Sequence, residues 1–139
     1  MRYFSTDIPS TASELFDGEL VIAHYGSGLY YAVSATGSVI WQGLRAGLAD
    51  TEVADWLVGA YPAQSADIAQ FVPDFIAGLE TEGLLLPAGA PAAAAPLPDL
   101  AMETLALPLL ERFDDLQQLL LLDPVHDVAE GGWPRRAED

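Results

Sequence analysis

The chain has 139 residues, no cysteine, and a formal net charge of −16 from 21 acidic residues against 5 basic ones, all arginine. That length suits one domain with an appendage, and the missing cysteine excludes a disulfide framework, a thiolate metal site and a cysteine nucleophile. Phosphate backbones and anionic lipid repel such a surface, so nucleic-acid and membrane-surface binding are excluded, and partners should be basic, neutral or apolar; acidity that serves solubility alone is the plainer alternative.

Residues 1–12 read as an N-terminal arm. MRYFSTDIPSTASELF has no long apolar stretch after Arg2 and so does not read as a secretory signal; no run is long enough to span a bilayer, and the cytoplasm is the expected location. Asp17-Gly18 is a turn signal between short strand-like runs. The runs 13–16, 19–24 (ELVIAH) and 29–33 (LYYAV) are expected as three antiparallel strands, with the glycines of Tyr25-Gly26-Ser27-Gly28 supplying a hairpin turn.

The period then changes from two to about 3.6. Residues 36–48 bring Val39, Ile40, Gly43 and Leu44 onto one helical face beside Trp41, itself a core candidate. Asp50 or Thr51 can cap a second helix lined by Val53, Leu57, Val58 and Tyr61 and stopped by Pro62. A third helix over 66–82, capped by Ser65, carries Ile68, Phe71, Val72, Phe75, Ile76 and Leu79 as a broad buried stripe, with Pro73 inside it and Gly83 ending it. Leu84–Leu86 can return as a short strand.

PAGAPAAAAPLP (87–98) has the composition of a semi-extended linker. Residues 99–139 form a leucine-rich acidic tail. Its stretch 99–122 reads as a helix broken near Pro108, with Leu109, Phe113, Leu116 and Leu120 on one face; 125–139 have no periodicity. The tail also holds DPVHD, with Asp123, His126 and Asp127, and GWP, with Trp133 and Pro134.

Enzymatic signatures are weak. A lone imidazole among carboxylates at His126 is a poor metal set, and His24 in its strand is expected to be structural or solvent-exposed. No nucleophile elbow appears, and Gly26-x-Gly28 lacks the helix start and further glycine of a phosphate loop. No catalytic residue, metal or cofactor is expected.

The order of motifs carries more. An Asp17-Gly18 turn precedes a strand; then come Gly28-x-Tyr30-Tyr31-x-Val33, Thr36-Gly37-x-x-Ile40-Trp41, a helix with Glu52 five residues before Leu57, and Leu79-x-x-x-Gly83-Leu84-Leu85. Over residues 13–86 this resembles the PqqD-like family, the recognition elements of ribosomally made, post-translationally modified peptides. Two departures stand out: Ser34 occupies a position where many relatives have Asn, and the tail lies outside the family pattern.

The resemblance implies an α+β, small winged-helix-like domain of three strands and three helices. It implies a non-catalytic adaptor in natural-product biosynthesis, which binds a precursor's leader peptide and presents it to a peptide-modifying enzyme. The leader would add a strand beside the third strand, at Leu29, Tyr30, Tyr31, Ala32 and Val33, and face Phe71, Asp74, Phe75 and Gly78 of the third helix. Strand addition uses the unpaired amides and carbonyls of a sheet edge.

Four readings of the tail remain open: an extra helix docked on the domain, a leader-like ligand in cis, a segment modified by a partner enzyme, or a docking motif. Exchange of the tail between two copies would give a homodimer. The alternative function is a precursor-like substrate whose tail is modified and whose domain is a built-in handle.

Overall fold

The computed structural model describes residues 1–91 and 95–114. Strands β1 (Tyr3–Ser5), β2 (Thr11–Phe16), β3 (Glu19–His24) and β4 (Leu29–Val33) precede helices α1 (Ala35–Arg45), α2 (Asp50–Ala60) and α3 (Ser65–Thr81). A 3₁₀ turn at Pro62–Gln64 joins α2 to α3, and strands β5 (Leu86–Ala88) and β6 (Leu110–Phe113) follow. The main sheet is antiparallel in the order β2-β3-β4-β6, and β1 pairs with β5 in a separate ribbon. Among the described residues no helix is long and apolar enough to cross a membrane.

The hairpin of β2 and β3 turns on Asp17 and Gly18, both with positive φ (50° and 82°), the geometry that matches the twist of the flanking strands. Along β3 and β4 the pleat sends Leu20, Ile22, Tyr31 and Val33 into the core, each no more than 4% exposed. The helices cover that face. Gly37 of α1 sits where a Cβ would lie 2.5 Å from Phe75 and 2.7 Å from Val33; only a glycine lets the helix approach β4 and α3 this closely. Trp41 is buried, as its position predicts.

The six apolar residues of the α3 stripe are all buried, and the helix runs unbroken through Pro73. It ends with Gly83 at φ 78° and Leu84 donating back to the Leu79 carbonyl, the wrap-back that satisfies a last-turn acceptor.

Several expectations need correction. The N-terminal arm is part of the fold: Phe4 is 1% exposed, and Tyr3, Phe4 and Ser5 pair with Ala88, Pro87 and Leu86. The stretch expected as linker therefore begins as a strand, and β2 starts at Thr11 rather than 13. Helix α2 starts at Asp50 with Ala49 before it, whose amide donates to the Glu52 carboxylate at 2.8 Å. Ser65 is the first residue of α3 and makes no cap bond. The largest difference is in the tail. No helix occurs among residues 95–114; the described part of the tail bends at residues 103–104 and pairs as β6 against β4. The rest of the expected helix, 115–122, lies outside the described residues.

Candidate functional site

The third expected strand is β4, and its outer edge is where the tail arrives. Register pairs Val33 with Leu110, Tyr31 with Arg112, Ala32 with Glu111 and Tyr30 with Phe113. The Ser34 amide donates to the Leu109 carbonyl at 3.0 Å, and the Leu109 amide donates to Ser34 Oγ at 2.9 Å. Alternation along an antiparallel ladder then directs the polar backbone of Tyr30, Ala32 and Ser34 toward β6, and that of Tyr31 and Val33 toward β3. The five predicted β4 residues thus divide. Tyr31 and Val33 are core side chains on the inner face. Tyr30 and Ala32 supply the edge, and Leu29 packs half-buried at the strand's start.

The α3 residues predicted for the opposite wall come together. Phe71, Asp74, Phe75 and Gly78, with Asp67 and Gln70, line one side of a cavity of about 530 Å³. Its other side is the tail, through Leu105, Leu107, Pro108 and Leu110. Phe71 and Phe75 belong to the core cluster as well as to this wall, so the core and groove roles do not exclude each other.

Upstream of β6 the tail is fastened at its backbone. Gln64 Nε2 donates to the Leu105 carbonyl at 2.8 Å, and the Leu105 amide donates to Gln64 Oε1 at 2.9 Å. This two-way amide clamp reads an extended main chain without regard to side chain. The Tyr61 hydroxyl donates to the Met102 carbonyl, and the Leu105 side chain is 5% exposed within the main core.

At the other end the contacts are on the surface. Phe113 stacks on Tyr30 with ring centroids 4.8 Å apart and planes 16° apart. Arg112, on the inner face, approaches Glu82 at 3.3 Å, and the Tyr31 hydroxyl donates to the same carboxylate oxygen at 3.2 Å. The Tyr31 phenol is raised above its ordinary 10.0, first by burial, then by the negative charge of Glu82 and the hydrogen bond to it; Arg112 opposes the rise.

Of the predicted tail residues, Phe113 is placed here. Leu116, Leu120, Asp123, His126, Asp127, Trp133 and Pro134 lie outside the described residues. His24 ties the β3–β4 turn, its Nδ1 accepting from the Ser27 amide at 3.1 Å. Among the described residues no cluster of three or more His, Cys, Asp or Glu could hold a metal. Sequence reasoning missed Gln64, Glu82 and Leu105, placed Tyr61 only on the inner face of the second helix, and noted Ser34 only as a departure from the family pattern.

Residues 19–85 match the family described as coenzyme PQQ synthesis protein D (PqqD). These residues form a PqqD-like domain. A solved structure, TbiB1 in complex with the TbiA(beta) leader peptide, is similar to the chain at 28% sequence identity and a TM-score of 0.51. The similarity covers 55% of this chain and 90% of that one. No curated protein matches the sequence. The PqqD-like match begins at β3 and ends just before β5, so it contains β4 and α3 but neither β6 nor the clamped segment before it.

Proposed function

We propose that the PqqD-like domain is a non-catalytic adaptor. It captures the leader segment of a ribosomally made precursor peptide and presents it to a peptide-modifying enzyme. The observation that carries this reading is that the β4 edge accepts an extended antiparallel segment, β6, directly beside the groove of α3. The likeness to a structure that holds a leader peptide supports it. Phe71, Asp74, Phe75 and Gly78 form the wall that meets the leader's side chains. Tyr30, Ala32 and Ser34 bind its main chain. The domain comprises about residues 3–88, from β1 to β5, and its site of action is the cytoplasm.

The test is a proline on the exposed side of the ladder. Ala32→Pro removes the amide aimed at the incoming strand and leaves the β3–β4 bonds intact, a position where an edge strand tolerates proline. Tyr31→Pro would instead break β3 from β4 and empty a core position. Leader peptides of precursors encoded beside the chain should lose roughly two- to tenfold in affinity for the Ala32→Pro protein, about the worth of the one charge-neutral hydrogen bond removed. Unchanged affinity in a variant that keeps its native circular dichroism would count against strand addition.

A second reading is favoured by the same strand. Because the chain's own β6 lies on the β4 edge, residues 115–139 follow a leader-like segment in the order of a precursor peptide. Mass spectrometry of the protein from its native host decides it: a mass shift confined to residues 123–139 would make the chain itself a substrate.

A further inference from the structure

The groove already holds a peptide, and how that peptide sits states what the groove selects. Its occupant is the chain's own segment 105–113, and its fit is uneven. Leu105 fills a buried socket. Five residues on, Leu110 faces the α3 cavity; Arg112 meets Glu82, and Phe113 covers Tyr30 on the opposite face. Between these points the packing is loose. Leu107 lines the cavity yet is 67% exposed, and about 530 Å³ stands between α3 and the segment. From Glu111 to Phe113 the side chains are exposed. A ligand bound this way is strong enough to close the edge when tethered, yet leaves volume that a bulkier side chain would fill.

We propose that segment 107–113 is a built-in copy of the peptide that this site selects, and that an incoming peptide of the same pattern displaces this β6 end while Leu105 stays anchored. The pattern is a bulky apolar residue, a basic residue two positions later and an aromatic at the third. The basic position follows from Glu82, with Asp67 and Asp74 on the groove wall adding negative charge. The amide and hydroxyl of Ser34 hold the main chain of any sequence in the same register. The inference rests on the peptide-capture reading above and adds both the ligand's chemistry and its competitor. Tethering supplies the competition: a short linker holds a segment at an effective concentration of the order of millimolar. If the strap is closed for roughly nine-tenths of the time, it weakens apparent affinity for a free peptide about tenfold.

The experiment uses the full chain and a fluorescent synthetic peptide with the sequence of residues 102–114. Wild type is compared with Glu111→Pro/Phe113→Ala, two exposed positions outside the core whose change removes a ladder amide and the aromatic stack from the strap alone. The variant should bind the probe up to about tenfold more tightly than wild type. A probe carrying L110W should bind more tightly still, and one carrying R112E several-fold more weakly. Equal affinity of the two proteins for the probe would overturn the competing strap and leave peptide capture standing. Tight binding of leader peptides that lack the pattern, with none of the probe, would overturn the pattern and leave capture standing. Failure of both folded proteins to bind any of these peptides would overturn capture and the inference together.

Discussion

The two ends of the segment that crosses α3 are held by different physics. At Leu105 the chain is anchored like a piece of core, with a buried side chain and both backbone groups paired to Gln64. At β6 it is held by a ladder, one aromatic stack and one solvent-exposed ion pair. Buried apolar contact with satisfied amides resists opening; exposed strand ends are drawn from the low-stability end of a structure. The anchor therefore belongs to the fold, and the strand belongs to the site.

The sharpest way to break this contrast is at the anchor. Leu105→Ala should lower global stability by roughly 2–4 kcal/mol, the range for truncating a buried leucine, read as a shift in the urea midpoint. Gln64→Ala should cost less, about 1–3 kcal/mol, because it strips partners from an amide and a carbonyl at a buried residue. If either variant unfolds at the wild-type midpoint, the anchor is not part of the cooperative unit.

Phe113→Ala probes the other end. It should remove about 0.5–1.5 kcal/mol of stacking and leave the global midpoint almost unchanged. Amide exchange should then quicken at residues 111 and 113 and at Tyr30 and Ala32, but not at Leu105. Equal acceleration at Leu105 would mean that anchor and strand open as one.

The domain and the strap also differ in how far the sequence discloses them. Strands β3 and β4 and the stripe of α3 were legible because their burial follows one regular period, and the α3 wall of the groove followed from the family resemblance. The strap has no such regularity. Leu109, Phe113, Leu116 and Leu120 fit helical spacing, and helix was the natural reading. Two facts oppose it within residues 105–113. Pro108 cannot donate to a helix and biases Leu107 toward extended backbone. The open edge of β4 also rewards a strand, a tertiary effect that outweighs local propensity. Gln64 carried no signal, being one polar residue in a turn after Pro62. Ser34 carried one, its departure from the Asn of many relatives; in the structure it makes no side-chain cap bond at the start of α1, and its hydroxyl serves the tail instead.

The smallest predicted effect joins the two ends of the contrast. Tyr31 is a core residue whose hydroxyl shares Glu82 with Arg112 of the strap. Its phenol is raised above 10.0 by burial first and then by Glu82, so the folded state holds this proton more tightly than the unfolded chain. The resulting stability is fully present below about pH 10, where the unfolded phenol is still neutral, and is lost as pH rises through the higher folded value. Wild type should therefore lose stability above about pH 10, relative to Tyr31→Phe, which lacks the proton. Arg112 opposes the rise, so Arg112→Ala should move the Tyr31 titration further upward, while the exposed ion pair itself contributes no more than about 1 kcal/mol. Ultraviolet difference titration at the tyrosinate band reads this directly. A Tyr31 titration indifferent to Arg112 would place the arginine away from Glu82 in solution and remove the basic position from the pattern assigned to the groove.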